Sequence, residues 1–114
     1  MPIKTEIMRN AVVAGPGYGP MATHGALYTT SPGATAPSEP VGASYARQPL
    51  TWGAPSNGVI QAVATFTVPA GNEIVGQGVH DALTAGNYLD GEDTTAQVFS
   101  IEGTVTITFF AAAP

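Results

Sequence analysis

Turn-forming residues interrupt this chain so often that no regular element can run far. Fourteen Gly and ten Pro are spread over 114 residues. Gly supplies backbone angles that other residues avoid, and Pro removes an amide donor. Pro55-Ser56-Asn57-Gly58, Pro69-Ala70-Gly71-Asn72, Ala85-Gly86-Asn87 and Asp90-Gly91-Glu92-Asp93 each carry turn chemistry. What fits between them is short strands.

Three of these segments alternate with period two, among them Ile74 to Asp81, with Val75 and Val79 on one face and Gly76, Gly78 and His80 on the other. In Val59 to Val68, the residues Ala62, Ala64, Phe66 and Val68 alternate with Gln61, Val63, Thr65 and Thr67. In Thr104 to Phe110, Val105, Ile107 and Phe109 oppose Thr104, Thr106 and Thr108. One apolar face and one polar face mark a half-buried strand. Further strands are expected over His24 to Thr30, Arg47 to Trp52, Tyr88-Leu89 and Gln97 to Ile101. Pro49 places its strand at an edge or a bulge. The pattern predicts an all-β antiparallel β-sandwich, jelly-roll-like, over residues 23–114. Residues 1–22 form an irregular or short-helical arm. Within it, Lys4 to Ala14 offers a helix: Ile3, Ile7 and Ala11 share a helical spacing that Thr5 would cap, while Val12 and Val13 argue for an extended arm. Gly15-Pro16-Gly17-Tyr18-Gly19-Pro20 is expected to hold no regular structure.

Charged residues make up only 10% of the chain, against about 25% in ordinary soluble domains. Either part of the surface faces other subunits, since interface cores are depleted of charge, or Thr, Ser, Gly and Asn supply the polar surface. The net charge is −5, and the only cations are Lys4, Arg9 and Arg47. Nucleic-acid binding requires a cationic footprint that this chain lacks, and anionic membranes are disfavoured likewise. No apolar run approaches the roughly 20 residues that span a bilayer. The N-terminus is unlike a signal peptide and there is no cysteine, so cytoplasmic synthesis is expected.

No constellation for chemistry emerges. His80 and Asp81 are adjacent on a strand and so point to opposite faces, and no nucleophile motif accompanies them. His24 and His80 are the only histidines, too few for a zinc site without carboxylates. Asp90, Glu92 and Asp93 lack the regular ladder of a calcium loop. Gly15, Gly17 and Gly19 share only their glycines with a phosphate loop, since no Lys-Ser/Thr follows. No catalytic residue, metal or cofactor is expected. The Pro-rich stretch carrying Ser31, Pro32, Gly33, Thr35, Pro37, Glu39 and Pro40 is the candidate contact loop. Ile3, Ile7, Met8, Val12 and Tyr18 form the candidate docking arm.

Four blocks carry a family resemblance. They are Leu27-Tyr28-Thr29-Thr30-Ser31-Pro32-Gly33; Ser44-Tyr45-Ala46-Arg47-Gln48 with Thr51-Trp52-Gly53-Ala54-Pro55-Ser56-Asn57-Gly58; Ala64-Thr65-Phe66-Thr67-Val68-Pro69-Ala70; and Val79-His80-Asp81-Ala82-Leu83-Thr84-Ala85-Gly86-Asn87-Tyr88-Leu89. From Leu27 onward the chain resembles small phage proteins described as phage tail fibre or minor tail proteins. His80 departs from the family, where a Trp is common, and Gly15 to Pro20 has no counterpart. The resemblance implies a non-enzymatic virion structural protein. Its expected partners are copies of itself, as a trimer, and other phage structural proteins. A capsid decoration protein and a carbohydrate-binding module for host attachment, with Trp52 or Tyr88 as the sugar platform, are the alternatives.

Overall fold

The computed structural model describes Thr5 and residues 18–54 and 56–112. One turn of helix, α1 (Tyr18–Met21), precedes six strands: β1 (His24–Tyr28), β2 (Gln48–Pro49), β3 (Val59–Val68), β4 (Asn72–His80), β5 (Tyr88–Phe99) and β6 (Gly103–Ala112). They form a four-stranded sheet in the order β2-β1-β4-β5 and a two-stranded sheet of β3 and β6, with every pairing antiparallel.

Both sheets derive from one ribbon folded over. Val59 pairs with Ala112 and Val68 with Gly103. Beyond the corner, Asn72 pairs with Phe99 and Ile74 with Gln97 in unbroken register. The corner consists of Pro69, Ala70 and Gly71 on one side and Ser100, Ile101 and Glu102 on the other. The Gly71 amide donates to Phe99 O at 2.7 Å and carries the ladder through the bend. Folding the ribbon lays the apolar face of β3 and β6 on that of the larger sheet. Leu27, Phe66, Val68, Val79, Leu89 and Phe109, drawn from both sheets, are fully buried in one core. This is the antiparallel sandwich that the alternation predicts.

Local chemistry explains the ends of β3. Asn57 and Gly58 both have positive φ, 52° and 75°, and Ser56 and Val59 exchange backbone hydrogen bonds of 2.9 and 3.0 Å around them. A two-residue turn with both angles positive suits Asn-Gly and feeds the twist of a hairpin.

Three expectations are corrected. Asp90-Gly91-Glu92-Asp93 is not a turn. It lies inside β5, paired with Val79, Gly78, Gln77 and Gly76 of β4, and tertiary pairing overrides its poor strand propensity. The strand expected from Arg47 to Trp52 shrinks to Gln48–Pro49, with Pro49 on an edge as expected. The Gly-Pro segment contains a helical turn, α1, in which Pro20 is tolerated because first-turn amides have no partner within the helix. The helix considered for residues 4–14 lies outside the described residues except for Thr5. That residue is buried, and its hydroxyl donates to Leu89 O. Ile3, Ile7, Met8 and Val12 also lie outside them, and Tyr18 opens α1.

Candidate functional site

The Pro-rich loop is a strap across the outer face of the four-stranded sheet. It can lie close because Gly76 and Gly91 present no side chain there. A Cβ on Gly76 would stand 2.6 Å from Pro32 Cδ, and one on Gly91 2.8 Å from Pro32 Cβ. Pro32 and Pro40 are buried, Gly33, Pro37 and Glu39 are half-buried, and Ser31 and Thr35 are exposed. Hydrogen bonds fasten the strap. Thr29 N donates to Ser38 O at 2.8 Å, Ser38 N to Thr30 Oγ1 at 2.8 Å, and the Tyr88 hydroxyl to Gly33 O at 2.7 Å. Ser31 Oγ donates to Asp93 Oδ1 at 2.5 Å. Ala26, Tyr28 and Tyr88 form a second small core on this face. Prolines on a glycine-lined sheet thus bury part of the candidate contact loop.

Arg47 ties the strap to the tip of the ribbon. Its Nε and Nη2 donate to the two oxygens of Glu39 at 3.1 and 2.9 Å, while Nη1 donates to Ala82 O and Ala85 O at 3.0 and 2.9 Å. A forked cation matched to a carboxylate is a strong, oriented contact. Tyr45 adds a hydroxyl donated to Glu39 at 2.9 Å. These hydrogen bonds hold the Glu39 carboxyl below its ordinary range despite partial burial, which alone would raise it. Across the tip, Asp81 accepts from the Asn87 amide and side chain at 2.6 and 2.9 Å. Between strap and tip runs an open groove lined by Glu39, Tyr45, Arg47, Leu83 and Thr84.

Under the strap lies a closed polar cluster. Tyr28 Oη is 2.8 Å from His80 Nε2, and the rings of Tyr28, His80 and Tyr88 meet at centroid distances of 5.7–6.0 Å. Burial pushes the His80 pKa down to about 4 and pushes the Tyr28 phenol up. Tyr28 is therefore the donor and His80 Nε2 the acceptor, which leaves the ring proton on Nδ1, an atom with no hydrogen-bond partner. A neutral, enclosed imidazole bonded to a phenol serves packing. Asp81 lies just beyond the end of β4 and turns to Asn87.

Asp90, Glu92 and Asp93 do not converge. Asp90 is fully buried, Glu92 accepts from Gln77, and Asp93 accepts from Ser31. Among the described residues no three metal-ligating side chains come together. The proposed sugar platforms are not free. Tyr88 is buried, and Trp52 packs against the core while its Nε1 donates to Ala22 O at 2.7 Å.

What the surface does offer is apolar. Val41, Val63, Val98, Ile101 and Phe110 are exposed, Val41 at 83% and Ile101 at 77%. Val41 and Ile101 sit at the ribbon corner, where Val41 N and O bond the Asn72 side chain. The Arg47 clamp and this corner were missed from sequence. The available signal for the clamp was that Arg47 is the one cation beyond Arg9 in an acidic chain.

No curated protein matches the chain in a sequence search. The family model described as Podophage GP4 fiber I protein gp80 matches residues 5–112, spanning the strap, both sheets and the ribbon corner. With nearly its whole length matched, the chain belongs to that family of phage structural fibre proteins.

Proposed function

We propose that the chain is a non-enzymatic component of a phage tail fibre or minor tail complex that acts through contacts with its own copies and with neighbouring virion proteins. One observation carries this reading beyond the family. Among the described residues, the side chains singled out for chemistry are engaged by neighbours, whereas several large apolar side chains face outward. His80 is bonded to Tyr28, Arg47 to Glu39, and Asp81 to Asn87. Val41, Val63, Val98, Ile101 and Phe110 remain exposed. Val63 and Phe110 are diagonal neighbours on the outward face of β3 and β6, and grouped apolar surface of this kind supports contact with other proteins. In this reading Ser31 and Thr35 are the part of the strap available to an outside partner, since Pro32 and Pro40 lie against the sheet.

Quantitative mass spectrometry of purified particles tests the proposal. A copy number far below that of the major capsid protein supports a tail location. A copy number comparable with the capsid protein would make this a shell-decorating protein, and absence from the particle would sink the structural reading.

A further inference from the structure

A strand at the edge of a sheet presents unpaired amides and carbonyls, and proteins that remain single guard such edges with charge, proline, bulges or short length. Three free edges of this fold are guarded. β2 is two residues long and ends in Pro49. β5 carries Asp90, Glu92 and Asp93, and its register against β4 shifts between Ile74 and Gly76 and again between Val79 and His80. The outer edge of β3 is met by Gly53, whose amide donates to Gln61 O at 2.9 Å.

β6 has none of these devices. It runs ten residues, Gly103–Ala112, in continuous register with β3, and contains no charge and no proline. Among the described residues no strand pairs with its other side, although the Gln77 side chain reaches it, its Nε2 donating to Thr108 O at 3.5 Å. The core is incomplete along it, because Val105 and Ile107 pack on the core yet are only partly buried. The two-stranded sheet is also narrower than the four-stranded sheet it covers. One more strand beside β6 would cover Val105 and Ile107.

We infer that the free edge of β6 pairs antiparallel with β6 of a second copy, making one continuous sheet β3-β6-β6-β3 across a two-fold axis. This rests on the reading that the chain associates with its own copies and names the surface that does so. Charge selects the occupant. The molecule carries −5, so most approaches of two copies oppose carboxylates, but β3 and β6 contain no charged residue. Antiparallel pairing sends the flanking Glu102 of each copy to opposite ends, whereas parallel pairing would bring the two together. A two-fold axis through Ile107 or Thr108, at mid-strand, pairs inward residues with inward residues and threonines with outward residues, as side-chain alternation requires. A three-fold ring would need a second, different edge to receive β6, and the other edges are guarded. The trimer expected from sequence is therefore not the assembly this edge builds.

The test uses the full chain, which lacks cysteine. Light scattering over a concentration series should reach twice the 11.5 kDa monomer mass. Thr108→Lys, on the outward face, should weaken dimerisation about tenfold or more, because the two lysines face each other if the axis passes through Thr108 and stand one pair apart if it passes through Ile107; circular dichroism should show the same strand content. Under mild oxidation, Thr108→Cys alone should cross-link if the axis passes through that residue. If the axis passes through Ile107, only a mixture of Thr106→Cys and Thr108→Cys should. Thr65→Cys, on β3, should remain single in either case. A monomeric mass without cross-linking would overturn the inference, as would a trimer that cross-links through Thr65→Cys. A chain that dimerises yet is absent from particles would spare the pairing and sink the proposed function. A chain present in particles but monomeric alone would do the reverse.

Discussion

Tyr28 and His80 lie on adjacent strands and share a hydrogen bond of 2.8 Å in the closed space beneath the Pro-rich strap. His80 is only 3% exposed, and burial, helped by the nearby Arg47 cation, lowers its pKa from the ordinary 6.5 to about 4. The fold therefore holds the ring neutral while the unfolded chain protonates it. The contribution is complete above pH 6.5 and disappears as pH falls toward 4, a loss of roughly 3 kcal/mol. Thermal melts should show Tm falling across that window, and His80→Phe should flatten the fall. An equally steep fall in the variant would assign the effect to the carboxylates.

Phe66 is fully buried, stacks on Tyr45 and meets Phe109 edge-on. Phe66→Ala should cost roughly 3–5 kcal/mol, measured by urea denaturation. Val63→Ala, on the outward face of the same strand, should change stability by less than about 1 kcal/mol. Similar losses at both positions would contradict the assigned faces.

The same alternation shows why β3 and β6 were legible in the sequence. Each has one buried and one open face, and half-burial writes a period of two. β4 was also read from an alternation, over Ile74 to Asp81, but it has no open face, because both its faces are covered, by the core on one side and the strap on the other. Gly76 and Gly78 stand where that crowding leaves no room for side chains. β5 was misread at Asp90 to Asp93 because its polar residues are satisfied by Gln77, Ser31 and strand pairing, contacts that arise only in three dimensions. The candidate site had the same difficulty. Ala85 lies 38 residues from Arg47, and its convergence with Glu39 and Arg47 depends on how the strap returns over the sheet.

Gly78 tests that crowding directly. A Cβ there would stand 2.6 Å from Tyr28 Oη and 2.7 Å from Cε2, and would press on the Asp90 carbonyl. The ring is locked by His80 and cannot swing aside. Gly78→Ala should therefore destabilise by about 3 kcal/mol or more. At Gly53 the nearest atom to an added Cβ is Gln61 O at 3.7 Å, so Gly53→Ala should stay within about 0.5 kcal/mol of the parent. Paired chemical denaturation curves provide the comparison.

Arg47 should act on two loops at once. Its guanidinium is largely covered, and it holds Glu39 of the strap together with the carbonyls of Ala82 and Ala85 at the ribbon tip. Removing it leaves a half-buried carboxylate and two carbonyls without their donor, a loss of about 2–3 kcal/mol. Arg47→Lys should recover only part of this, because an ammonium cannot fork onto both Glu39 oxygens while reaching the tip. Amide exchange should quicken in residues 81–87 and at Ser38 and Glu39 of Arg47→Ala and remain unchanged in β3 and β6. Glu39→Gln, which keeps the tip carbonyls bonded, should quicken exchange in the strap but not in the tip. If both variants loosened both loops equally, Arg47 would not be the link between them.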